Sequence, residues 1–197
     1  MAMSSCQCLE NAESFGGVQK DSLVDMLLRY PSTNNPIAYH LAQVNWSIFG
    51  TLTWQVDSRS INTATAKTLR MNDFRWLMLN ACAILRIKTK RLAFYRKTEW
   101  GGGDRAHYNF LIAKDGLPAD VTAKTLADTL SRVWRQPSGH RGLCEIEPFD
   151  NETHLQGVLY QCKYEFDATS SQFECDEYRS PALSKILQKN SGNVLSP

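Results

Sequence analysis

Hydrophobic and polar positions change period several times along the chain. Residues 45–54, NWSIFGTLTW, alternate: Trp46, Ile48, Gly50, Leu52 and Trp54 fall on one face and Ser47, Phe49, Thr51 and Thr53 on the other, as in a strand. Over 64–86 the period lengthens to that of a helix, with Phe74, Leu77, Met78, Ala81 and Leu85 on one stripe and Asn72 as a candidate cap for a restart. Residues 92–100 and 106–113 then predict a hairpin turned by Gly101–Gly103 and Asp104. A helix over 118–136 begins near Pro118 and buries Ala123, Leu126, Ala127, Leu130, Val133 and Trp134. Residues 142–149 predict another strand, and 152–166 a last helix with Leu155, Val158, Leu159, Cys162 and Phe166 as its stripe. Upstream, 21–44 predict two short helices around the turn PSTNNP; past Asp167 the chain turns polar, and SGNVLSP at its end is expected to be loose.

This order predicts an α+β fold, a central antiparallel sheet of about five strands in the split βαβ, ferredoxin-like manner, flanked by helices. It divides the chain into a flexible lead-in over 1–20, a main domain over 21–178 and a tail over 179–197. With 43% hydrophobic residues in 197, the chain can bury a real core. No apolar run is long enough to predict a membrane span, and the first residues lack the features of a signal peptide, so a cytoplasmic protein is expected. The six cysteines are scattered without a CxxC pair, as reduced, buried thiols would be. No GxxxxGK[ST] loop occurs, which excludes an ATP-driven motor of that type in this chain.

Charge adds one local feature. The net charge of +2 argues against indiscriminate polyanion binding, yet residues 86–97, RIKTKRLAFYRK, carry six basic side chains (Arg86, Lys88, Lys90, Arg91, Arg96, Lys97) and no acidic one. Such a run is either a solvated face or a stripe that contacts phosphates.

Two constellations carry candidate chemistry. On a strand, His107 and Asn109 share a face, and the glycine turn brings Glu99 back beside His107. They are either hydrogen-bonded surface residues or a carboxylate, an imidazole and an amide oxygen around one cation, the oxygens favouring Mg²⁺ or Mn²⁺. On the late helix, Tyr160, Lys163 and Tyr164 stand at i, i+3 and i+4 beside the apolar stripe. They are either the margin of an amphipathic helix or a phenol nucleophile with a lysine one turn on.

Taken in order, Phe49-Gly50-Thr51-Leu52-Thr53, then Glu99-Trp100-Gly101 through His107-Tyr108-Asn109, then Tyr160-Gln161-Cys162-Lys163 resemble the three motifs of the HUH endonucleases. The likeness is to the single-tyrosine rolling-circle replication initiators of small plasmids and phages, and it covers about residues 45–166. Asn109 stands where that family usually has its second histidine. The resemblance implies an HUH-type endonuclease domain that nicks single-stranded DNA at an origin or hairpin and transfers the strand. Glu99, His107 and Asn109 would hold Mg²⁺ or Mn²⁺, Tyr160 would form a covalent 5′-phosphotyrosine link, and Lys163 would orient the phosphate. Thr51, Thr53 and the basic run would contact DNA, with Trp54, Tyr95 and Trp100 as exposed stacking surfaces. A host helicase and polymerase would be partners, and no membrane. Two alternatives are a non-catalytic single-strand-binding module with an RNA-recognition-like sheet, and a single-tyrosine transposase. A conjugative relaxase fits less well, since its tyrosine usually comes early in the chain.

Overall fold

The computed structural model describes residue 41 and residues 43–55, 59, 61, 63–101, 105–150 and 177–194. The expected helices over 21–44 (apart from residues 41, 43 and 44) and over 152–166 lie outside the described residues. The elements run β1 (Trp46–Trp54), α1 (Ala64–Ile84), a short 3-10 turn (Thr89–Arg91), β2 (Phe94–Gly101), β3 (Arg105–Ala113), α2 (Ala123–Trp134), β4 (Arg141–Pro148), β5 (Glu177–Arg179) and α3 (Pro181–Val194). All pairings are antiparallel, in the order β4-β1-β3-β2-β5. The first four strands with α1 and α2 form the expected split βαβ arrangement, and β5 extends it at the edge of β2. No helix among the described residues is long and apolar enough to cross a membrane.

The alternating strands bury both faces of the sheet. Ile48, Leu52, Trp54, Tyr108, Phe110 and Ile112 pack under α1 and α2. Phe110 lies directly across from Gly50, where a Cβ would collide with its ring, so glycine is what lets this aromatic lie flat on β1. Trp46 departs from the expected alternation. The register slips between Trp46 and Ile48, and the extra residue turns Trp46 to the opposite face, where it packs with Leu41, Val44, Tyr95, Leu111 and Leu183.

α1 and α2 start on threonine caps. Thr63 accepts from the Ala66 amide and Thr122 from the Thr125 amide, each at 3.1 Å. α1 therefore runs unbroken past Asn72, and Pro118 lies in the turn before α2 rather than inside it. Most of each expected stripe is buried, but Leu85, at the C-cap of α1, and Ala123 are only half-buried, and Ala66, Arg70, Cys82 and Thr129 join the buried sides, Arg70 Nη1 donating to the Arg59 and Ile61 carbonyls. Cys82 and Cys144 are buried free thiols, as expected; burial pushes the Cys82 thiol up to about 11.

The expectation of a tail over 179–197 needs correction. Ser180 accepts from the Leu183 amide through its Oγ and Pro181 opens the first turn, so a helix begins there. Ser180 also joins the chain to β2, its Oγ accepting from the Phe94 amide at 2.9 Å and its amide donating to the Phe94 carbonyl at 3.0 Å. Leu183 of α3 is fully buried.

Candidate cation site

On the face away from α1 and α2, the strands place polar residues in rows across the sheet. Glu177, Lys97, Asn109, Thr51 and Glu145 follow one another in register through β5, β2, β3, β1 and β4. In the next row Glu99, His107 and Thr53 stand side by side. Period two aims them all to one side, as the hairpin reading of Glu99 and His107 requires.

Hydrogen bonds tie the centre of these rows together. His107 Nε2 lies 3.0 Å from Glu99 Oε2, and Asn109 Nδ2 donates to the same oxygen at 2.6 Å. Thr51 Oγ1 donates to Asn109 Oδ1 at 2.7 Å. Glu99 is 3% exposed and Asn109 4%, whereas the His107 side chain keeps 23% of its surface and forms the open side of the cluster. The second carboxylate oxygen, Glu99 Oε1, is buried and accepts no hydrogen bond among the described residues. A buried carboxylate oxygen left without a donor is costly, and it marks a position where a cation or another donor fits.

The donor set suits a small divalent cation. Ligands at adjacent corners of an octahedron with bonds of about 2.1 Å lie roughly 3.0 Å apart. The 3.0 Å between Glu99 Oε2 and His107 Nε2 is a hydrogen-bond distance, and a cation held by both would take the place of the proton shared between them. Among the described residues no three His, Cys, Asp or Glu side chains cluster, so a cation here draws on one carboxylate, one imidazole and the neutral groups around them. Asn109 meets Glu99 through its amide nitrogen, while its oxygen faces Thr51. The expected amide-oxygen ligand is therefore turned away from the carboxylate, because a carboxylate only accepts and its neighbour must donate.

The basic run divides. Arg86, Lys88, Lys90 and Arg91 are exposed in the connection from α1 to β2. Arg96 and Lys97, expected as surface phosphate contacts, are 3% and 0% exposed because the run enters a strand flanked on both sides. The Arg96 guanidinium stacks on the helix-covered face, 4.4 Å from the Tyr108 ring centre and 5.7 Å from that of Tyr178. Lys97 lies on the site face between Asn109 and Glu177 in register. Phe94 opens β2 and Glu99 lies near its other end, roughly 17 Å along an extended strand, so the exposed half of the run and the carboxylate sit at opposite ends of β2.

Other expectations change as well. Trp54 and Tyr95 are buried at 5% and 0% exposure, not exposed stacking surfaces, since each points into one of the two packed faces. The side chain of Trp100 lies outside the described residues, as do Tyr160, Lys163 and Tyr164. Thr51 and Thr53, expected to contact DNA, use their hydroxyls inside the protein, Thr53 donating to the Leu143 carbonyl at 3.1 Å. His140 serves a separate cluster under the sheet. Its Nε2 is 3.1 Å from Asp73 Oδ1, and Asp73 Oδ2 accepts from Trp54 Nε1 at 2.8 Å and Arg59 Nε at 3.0 Å. Nearby, burial lowers the Arg141 guanidinium from its ordinary range as it stacks 3.9 Å over Trp76 and caps α2 through the Val133 and Trp134 carbonyls.

Comparison of the chain with known protein families, curated sequences and solved structures finds no match.

Proposed function

We propose that this chain is a divalent-cation-dependent, single-tyrosine endonuclease that nicks and rejoins single-stranded DNA, in the manner of a rolling-circle replication initiator. The observation that carries the reading is Glu99. Its carboxylate is buried, in register with His107 and diagonal to Asn109, with Oε2 bonded to both and Oε1 bonded to nothing among the described residues. Glu99 and His107 would supply the oxygen and nitrogen donors for Mg²⁺ or Mn²⁺, with the Asn109 amide nitrogen holding the carboxylate. A cation bound there supplies Lewis-acid polarisation of a scissile phosphate.

The chain's own residues do the rest. The Tyr160 phenol oxygen attacks phosphorus and forms a Tyr–O–P bond as the P–O3′ bond breaks. The phenol gives up its proton, and the departing 3′ oxygen takes one up to leave a free hydroxyl that a host polymerase can extend. Lys163, one turn beyond Tyr160 on the helix expected from the sequence, offsets charge on the phosphate oxygens. Arg86, Lys88, Lys90 and Arg91 give the strand an exposed cationic path. A binding-only module that stacks bases on its sheet has less support, because Trp54 and Tyr95 are buried.

The test is a library of labelled single-stranded oligonucleotides incubated with Mn²⁺ and resolved under denaturing conditions. The expected product is a denaturant-resistant adduct whose nucleotide maps by mass spectrometry to Tyr160. Tyr160→Phe should abolish the adduct and keep strand binding. A nucleotide on another tyrosine defeats the assignment, and no adduct with any strand or metal defeats the enzyme.

A further inference from the structure

Thr51 belongs to β1, which lies next to β3 but contributes neither a carboxylate nor an imidazole to the site. Its hydroxyl nonetheless ends the hydrogen-bond chain Thr51–Asn109–Glu99, at 2.7 Å and 2.6 Å. An amide can face a neighbour with either end. Glu99 as a carboxylate accepts only, so it favours the amide nitrogen, and the oxygen must then find a donor elsewhere. Thr51 is that donor. Asn109 is 4% exposed, so water is a poor substitute.

We propose that Thr51 is a positioning residue for the cation site: its hydroxyl holds the Asn109 amide nitrogen-first toward Glu99 and so fixes the carboxylate that takes the cation. This rests on the cation reading given above. Thr51 touches neither the cation donors nor DNA in this role; it acts through Asn109. With the hydroxyl gone, the amide loses the bond that selects its orientation, and Glu99 Oε2 loses a donor held in place. Groups behind metal ligands typically contribute about 10–100-fold in affinity when they orient a ligand in this way.

Thr51→Val is the informative change because valine keeps the shape and β-branching at a strand position and removes only the hydroxyl. Mn²⁺ affinity of the DNA-free protein, read by electron paramagnetic resonance, should fall about tenfold or more in Thr51→Val and recover in Thr51→Ser. In an Asn109→Ala background Thr51→Val should cost nothing further, since the chain is already cut. Equal Mn²⁺ affinity in wild type and Thr51→Val, or a full additional loss on top of Asn109→Ala, overturns the proposal.

A second measurement needs no metal. In the cation-free protein the Asn109 side-chain NH₂ signals should exchange slowly with water in wild type and Thr51→Ser, and clearly faster in Thr51→Val. Unchanged exchange overturns the positioning role. Wild type that shows slow exchange but binds no Mn²⁺ overturns the cation reading, and with it the link to the cation, while upholding the Thr51–Asn109 hold.

Discussion

Glu99 Oε2 takes donors from two side chains, while Oε1, equally buried, takes none among the described residues. That asymmetry sets the cluster apart from an ordinary strand-end ion pair, in which an exposed carboxylate meets water on its free side. Glu99→Gln is therefore expected to keep the fold, since the glutamine oxygen can still accept from Asn109, and to lose Mn²⁺ binding because the negative charge is gone. Calorimetric titration of Mn²⁺ checks it; unchanged binding would make Glu99, His107 and Asn109 a hydrogen-bonded structural cluster. The pairing of Glu99 with His107 was legible in the sequence, because a hairpin turned by glycines leaves little choice of register. The role of Thr51 was not. It lies 58 residues from Asn109, and no local period says that β1 comes to rest against β3.

At the scale of elements, the basic run shows how far composition reaches. Its first four cations precede β2 and stay in solvent, while Arg96 and Lys97 are drawn into the sheet once the strand begins. If the exposed part follows a DNA backbone, neutralising Lys88, Lys90 and Arg91 together should flatten the salt dependence of single-strand binding, by about 0.7 for each phosphate deprived of its cation. Fluorescence anisotropy across a salt series measures the slope, and an unchanged slope makes the run a solvated connection. The last helix carries a different lesson. Ser180-Pro181 ahead of an apolar-periodic segment is a start signal readable from sequence, but the polar residues around it mask the pattern.

Across the whole molecule, the sheet is packed on both faces but unequally. α1 and α2 close one face over a large aromatic core, whereas on the other α3 packs through Leu183 beside Tyr95 and Leu111. The cation candidates occupy that second face, toward the other end of β2 and β3. Leu183→Ala should lower stability by about 2–5 kcal/mol, the ordinary cost of emptying a fully buried leucine site. Urea unfolding measures it. Below the unfolding transition Mn²⁺ affinity should match wild type, because among the described residues no hydrogen bond of the cluster passes through α3; a parallel loss of affinity would mean that α3 supports the site.

The sequence by itself determined the type and order of the strands and main helices through β4 and the alternation that sends Tyr108, Phe110 and Ile112 to one face of the sheet and His107 and Asn109 to the other. It also determined the meeting of Glu99 with His107. These depend on backbone periods and on one short turn, which are local properties. Only the tertiary structure decided that Trp46 crosses to the other face, that Arg96 and Lys97 are buried, that the amide of Asn109 meets Glu99 by its nitrogen, and that Thr51 holds its oxygen. Each of these depends on which strand lies next to which, and a bulge, an edge or a neighbour two strands away is settled by packing between segments distant in the chain.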